Sequence, residues 1–592
     1  RRINNLPIAQ FYGIGLDDES PFNVYGGMQD DHSFMGPSAT RHYLGIVDGD
    51  WREIGFNDGL EHQVDLAGMR YVYSNAVGGD LTLVDGTMGD RRDIRPTPRA
   101  GEAPFRWEWM TPGVASRHTP GTYYYGAQRL FITRDRGEAW TSTQDLTRSY
   151  SRDTMKVMGV PASQVRLSPN DGQSTFSALS AISESPLTPD VLWVGSDDGN
   201  IQVSRDGGNT WTEVSRNLRG APDGSYIARL SAGRASPGTA YVAVDNHRRG
   251  DFAPYAFRTS DFGQTWVPIM GGLPQDGSVR FVGEHPNKAG VVFLGTEHAL
   301  YLSTDAGGHW DRLGANLPPT LYLDVKVQPR TGDVVVATHG RSLWILDQGD
   351  ALTEWTPTVA AEPLHLFAIR PAHIWQYWED YSYRGQDFFA GENPPDGAPL
   401  DYSLGRAAPM ATITITNAEG RVVRTMTGPG TAGVIHRVVW DLRHEPPPGG
   451  PPSDPEGENA SGALPPLPRP DALVGPWVSP GTYTVTVQAG DARAVRTVEV
   501  GGDPGKPELT AAQYRARETV LLDLLDVQRR AFERSRRPSA AAGIRRAMQS
   551  ASALATWFNG GGPGRSAVQG SLLPPTPAQE RALADIKEAL AR

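Results

Sequence analysis

The chain has 592 residues, well beyond the ~100–200 of a typical domain, so its length implies several domains or one large repeat array. With 56 Lys and Arg against 67 Asp and Glu, the formal net charge of −11 excludes a surface that tracks a phosphate backbone throughout. Cys is absent, which excludes disulfides, Cys-ligated zinc, iron–sulfur clusters and thiol nucleophiles, and no apolar run approaches the ~18 residues of a bilayer span.

From the N-terminus, the chain opens RRINNLP, and related text follows three downstream tryptophans as TEVSRNLR, VPIMGGLP and DRLGANLP. Arg1 is therefore expected to lie in the outer strand of an upstream blade, with this chain as the C-terminal part of a longer parent. Short apolar segments then recur: NVYGGMQ (23–29), RYVYSNA (70–76), TYYYGAQ (122–128), VLWVGSD (191–197), AYVAVDN (240–246), VVFLGTE (291–297) and VVVATHG (334–340). They are alternating or continuous runs bounded by Gly and polar turns, as strands are. Four of them lead into Ser/Thr-x-Asp-x-Gly-x-x-Trp: TRDRGEAW (133–140), SRDGGNTW (204–211), TSDFGQTW (259–266) and STDAGGHW (303–310). In such a turn Asp accepts from nearby backbone N–H groups, Gly supplies a positive φ and Trp packs back over the hairpin. Asp135, Asp206, Asp261 and Asp305 are accordingly expected to be structural turn staples. Seven copies, starting near residues 8, 62, 104, 176, 225, 277 and 320, predict a seven-bladed β-propeller over 1–355.

Alternating segments ATITITNAEGRVVRTM (411–426), HRVVWDLR (436–443) and GTYTVTVQAGDARAVRTVEV (481–500) predict an immunoglobulin-like β-sandwich over 356–505, with a Pro-rich insertion at 444–476. Helical periodicity over Leu509–Arg534, Ala540–Phe558 and Thr576–Arg592 predicts a helical hairpin or small bundle at 506–592. Leu521, Leu524, Leu525 and Phe532 call for a partner surface, on the propeller flank or on a second protein.

The Asp-boxes, together with NNLPIAQFY (4–12), YGGMQDD (25–31), DWREIGFNDG (50–59), APFRWEW (103–109), ATHGRSLWILD (337–347), VVWDLR (438–443) and SPGTYTV (479–485), resemble the bacterial sortilin-like, BNR-repeat proteins often labelled glycosyl hydrolases. The resemblance implies a secreted, periplasmic or cell-surface protein with two propellers, an immunoglobulin-like domain and helices. Because Arg1 enters mid-blade, Arg1–Leu6 is expected either to pair with another polypeptide, such as the upstream propeller, or to cross to an outer strand of a neighbouring blade.

Propeller ligands bind at the axial mouth. Aligning the repeats puts Gln29, Asn75, Gln128, Asp197, Asp245, Glu297 and His339 at equivalent positions there, with Asp30, Asp31, His32, Asp58, His62 and Arg341 beside them. This ring suits a glycan or peptide ligand. Glycoside hydrolysis needs two carboxylates at ~5–5.5 Å or ~6.5–9.5 Å, for which Asp30, Asp58 and Glu297 are the candidates. The absence of an Arg-Ile-Pro signature argues against a sialidase, and no metal site, cofactor or nucleic-acid partner is expected. Two readings stand: a binding scaffold, or a secreted glycoside hydrolase.

Overall fold

A computed structural model of the chain describes residues 8–42, 45–65, 70–151, 153, 156–157, 159–164, 176–314, 316–377, 389–447, 474–535, 542–559 and 570–591. The expected pairing of the first six residues, and most of the 444–476 insertion, lie outside these residues. The chain divides into two compact units: Leu6–Ser38 with Gly49–Gly349, and Ala39–Asp48 with Asp350–Arg592.

The first unit is built from antiparallel sheets in chain order. Among the described residues six have four strands, a seventh has three, and a short hairpin pairs Lys156–Val157 with Val160–Pro161. The first strands of the seven larger sheets are Phe11–Leu16, Gly59–Val64, Gly113–Ala115, Leu179–Glu184, Tyr226–Ala232, Val279–Glu284 and Leu321–Val327. Each lies against the next, and the seventh returns to the first, so these inner strands close a ring. At the closure the Ile14 N–H donates to Asp324 Oδ2 at 3.1 Å, Gln10 bridges to His339, and Phe11, Ile14, Phe22 and Val24 share a cluster with Val335 and Ala337. Each inner strand pairs with one neighbour in its own sheet, so closure leaves only short, protected edges.

Two local devices repeat around the ring. The backbone N–H of the residue just after each inner strand closes onto the carbonyl at the start of the next strand or just before it: Asp17 to Asn23, Asp65 to Tyr71, Ser116 to Thr122, Ser185 to Val191, Gly233 to Thr239, His285 to Val291 and Gln328 to Asp333. The register also slips in the inner strands of all sheets but the third, for example between Ile227 and Arg229 and between Tyr322 and Asp324. Such bulges twist a strand and re-aim its side chains.

The four Ser/Thr-x-Asp-x-Gly-x-x-Trp turns share one geometry. Asp135, Asp206, Asp261 and Asp305 each accept from the Ser or Thr hydroxyl two residues back, at 2.7–2.8 Å, and from the N–H four residues on, at 2.9–3.0 Å. Gly307 sits at φ +92°, where an added Cβ would stand 2.7 Å from the Ile269 Cβ, so the position tolerates only Gly. Trp310 donates its indole N–H to the Ile269 carbonyl at 2.6 Å.

In the second unit, a three-stranded sheet (His365–Leu366, Ala398–Ser403, Ile435–Trp440) and a five-stranded sheet (Ala372–His373, Ala411–Thr416, Val422–Gly428, Gly481–Ala489, Ala492–Gly501) share one core. Leu400, Tyr402 and Trp440 meet Ile413, Ile415, Tyr483, Val485 and Val487 there. Helices Ala511–Ser535, Ala542–Asn559 and Pro577–Ala591 follow. Thr510 with Gln513, and Thr576 with Gln579, exchange reciprocal bonds that cap two of them, the Thr-x-x-Gln form of a capping box. Leu521 and Leu524 are buried against Ala547, Ala551, Leu554, Leu583 and Ile586, so the chain's own helices cover two of the residues for which a separate partner surface was expected. No helix among the described residues is long and apolar enough to cross a membrane.

Candidate functional site

The inner strands surround a cavity of about 340 Å³ along the ring axis. Midway, Arg229 of the fifth sheet bridges Glu61 of the second and Asp324 of the seventh, the latter at 2.8 Å. Burial acts to lower the Arg229 guanidinium, but the two carboxylates overcome it and hold it above the ordinary arginine range. The bulges at Ile227/Arg229 and Tyr322/Asp324 fall immediately before two of these residues, and the slip at Gly59/His62 brackets the third.

The equivalent positions of the sequence ring serve largely as backbone staples. Asn75 accepts from the Glu61 N–H at 2.9 Å and donates to the Thr111 carbonyl at 2.8 Å. Gln128 accepts from the Arg106 N–H, and Asp197 from the Ala178 N–H. Burial alone would raise the Asp245 carboxyl, but its bonds from His247 and the nearby Arg280 hold it down at about 2. Glu297 stands 3.9 Å from the same Arg280.

The remaining candidates divide between the mouth and its surroundings. Gln29 accepts from the Tyr12 hydroxyl at 2.9 Å, and the Asp30 N–H donates to Asp58 at 2.8 Å. The His339 ring lies 4.9 Å from that of Tyr12, and burial lowers its imidazole. His32 packs on Phe56, 3.6 Å from Glu53; Asp31 is exposed, and Arg341 turns back onto the Gly340 carbonyl. His62 belongs to an inner strand rather than a loop. It is fully buried, neither ring nitrogen has a described partner, and burial pushes its imidazole down to about 3, so it is neutral.

The structure also brings together residues that the repeat alignment missed. The Tyr12 hydroxyl is raised by burial, opposed by a hydrogen bond from Trp109, with Asp58, Asp30 and Glu108 adding to the rise. The Tyr226 hydroxyl is raised by burial and then by Glu108, with Arg248 and Arg280 opposing. Glu108, 2% exposed, therefore acts on both tyrosines, and Arg248 lies 5.0 Å over the Tyr226 ring. Tyr12 and Tyr226 both line the cavity, and Trp109 and the buried Glu108 lie close enough to bear on them. Tyr12 and Tyr226 stand where apolar inner strands begin, and Glu108 lies in Trp-Glu-Trp (107–109), a signal visible in sequence but outside the repeated strand. Among the described residues no group of three His, Asp or Glu is placed to hold a metal ion.

No family model matches the chain. A stretch of 190 residues, 32% of the chain, is 25% identical to the oligoxyloglucan-reducing end-specific xyloglucanase of Emericella nidulans, and spans about a fifth (21%) of that curated relative. Among solved structures, the GH74 xyloglucanase from Xanthomonas campestris superposes with a TM-score of 0.41 at 14% identity, over 72% of this chain and 59% of that one. The WD40 beta propeller domain of Doa1 does so with a TM-score of 0.38 at 10% identity, over 58% and 94%.

Proposed function

We propose that the chain is a seven-bladed β-propeller over 1–355, followed by an immunoglobulin-like sandwich over 356–505 and a helical segment over 506–592. In this reading it is a secreted or cell-envelope binding protein that takes a glycan or peptide at the mouth around Tyr12 and Tyr226. The observation that carries it is the pairing of aromatic faces with a carboxylate that acts on both tyrosines, beside ring positions whose polar groups are spent on the backbone. Aromatic rings supply stacking area and a few aimed polar groups supply orientation, as ligand sites require. A glycan and peptide array with the wild type, repeated with Tyr12→Ala and Trp109→Ala, tests this. The variants are expected to lose about tenfold or more in affinity, the scale of a removed aromatic anchor. Unchanged affinity in both would sink the reading.

A second reading, a glycoside hydrolase at the same mouth, is favoured by the burial of Glu108, a carboxylate that bears on both tyrosines. It expects release of sugar from xyloglucan oligosaccharides by the wild type and loss of that release in Glu108→Gln.

A further inference from the structure

We propose a second binding site, for a compact oxyanion of the phosphate or sulfate type, at the opposite end of the ring cavity, built on Arg117 and Arg234. It is independent of the mouth around Tyr12.

The repeated closure bonds at the ends of the inner strands define one structural register around the ring. The residue after the closing one is Asp18, Arg117, Pro186, Arg234, Pro286 and Pro329 in the first and third to seventh sheets; that of the second sheet lies outside the described residues. Cations at this register thus occur in the third and fifth sheets, on either side of the fourth. Both arginines line the cavity. Their backbones are pinned by the same device: the Arg117 N–H donates to Glu184 Oε2 at 2.7 Å and the Arg234 N–H to Glu284 Oε2 at 2.5 Å. The two guanidiniums therefore start from fixed points rather than from mobile loops.

Donor and acceptor accounting decides the sign of the ligand. The cavity's carboxylates are already engaged, Asp18 accepting from the Gln328 side-chain amide at 2.9 Å. Asp17 takes the Glu19 and Asn23 N–H groups, the Asn23 side-chain amide and the Tyr25 hydroxyl. Glu184 takes Ser116, Tyr124 and the Arg117 N–H; Glu284 takes Tyr241 and the Gly290 and Arg234 N–H groups. Glu61 and Asp324 are held by Arg229. By contrast, neither the Arg117 nor the Arg234 guanidinium donates a hydrogen bond to a described protein group, and Lys326 reaches Asp324 only at 3.5 Å, sharing it with Arg229. Arg117 is exposed and Arg234 half-buried; desolvation at the cavity wall and then Arg234 lower the Arg117 guanidinium, so the two cations bear on each other. Lys326 is likewise lowered by burial, and Arg117 adds to that effect.

A group that engages both of these guanidiniums must supply acceptors and negative charge. Arginine forks bind phosphate and related oxyanions through paired charge-assisted bonds. Two forks approaching from different sheets suit an anion whose oxygens point in several directions.

The test is calorimetric titration of the full chain with inorganic phosphate and with sulfate at low ionic strength, together with the shift in melting temperature on adding phosphate. The wild type is expected to bind and to melt higher. Arg117→Gln with Arg234→Gln should weaken binding by about tenfold or more and abolish the shift, as the loss of charge-assisted forks demands. Should that pair fail to fold, Arg117→Lys with Arg234→Lys keeps the charge, and is expected to fold and bind several-fold more weakly. Phospho- and sulfo-sugars binding more tightly than the free ions would mark the anion as a group on a larger ligand; weaker binding would mark the free ion. No binding by the wild type, or equal affinity in an altered pair, overturns the proposal.

Discussion

The ring of sheets and the unit of sandwich and helices bury apolar area in opposite ways. The ring spreads it over several separate clusters, from Tyr25, Ile54, Val72 and Val84 between the first two sheets to the larger group around Trp193 and Phe257 between the fourth and fifth. What fixes these clusters is repeated polar chemistry: inner-strand closure bonds, aspartate turns, and carboxylates that accept from tyrosine, as Asp17 does from Tyr25 and Glu184 from Tyr124. The sandwich instead commits two sheets to one continuous core around Trp440, and its helices commit to another. Distributed staples should make the ring tolerant of any single loss. A single core should make its centre intolerant.

Four measurements can break or sharpen that contrast. The largest effect is expected from Trp440→Ala, which empties the sandwich core around a side chain at 0% exposure that also donates to the Arg443 carbonyl. A loss of about 3–5 kcal/mol in denaturant unfolding is expected. Next comes Gly307→Ala, whose positive φ and contact with Ile269 should cost about 2–4 kcal/mol. A larger loss than that of Trp440→Ala would reverse the contrast.

Two pH effects follow, both within the ring. The His62 imidazole sits at about 3 when folded, against 6.5 when exposed. The unfolded chain binds its proton first, so this contribution is complete above the exposed value and is lost as pH falls toward the folded one. At about pH 5 the loss should be about 2 kcal/mol, and His62→Gln should remove it from the pH profile of melting temperature. The smallest effect concerns Asp206. Bonds from the Thr210 hydroxyl and N–H, and from Ser204, hold its carboxyl at about 2, against 3.8 when exposed. Its contribution is present above about pH 4 and fades as pH falls through the folded value, so Asp206→Asn should flatten only that acid limb. A melting temperature for Asp206→Asn far below the wild type at neutral pH would show the staples to be less redundant than the ring implies.

Much of the strand pattern was legible in the residues themselves. TYYYGAQ holds the strand Tyr123–Gly126 and VVFLGTE the strand Val292–Thr296, because alternation and bounding turns are local signals. The third inner strand begins at Gly113 rather than near 104, since 104–112 carries aromatic residues without strand pairing. Candidate site residues were legible in type but less so in role. Asn75, Gln128 and Asp197 look the same in sequence whether they face a ligand or an N–H group; only neighbouring backbone, brought close by the ring, turned them into staples.

By itself, then, the sequence determined the turns, the strands and the helix caps, each set by residues within a few positions of one another, as in Thr576 and Gln579 or Ser303 and Asp305. The tertiary structure alone decided which charges meet across the axis. Arg229 is 168 residues from Glu61 and 95 from Asp324, and Arg117 and Arg234 share a register only because seven inner strands close into one ring. Such convergence depends on bulges and on ring closure, properties of the assembled backbone that no short window of residues encodes.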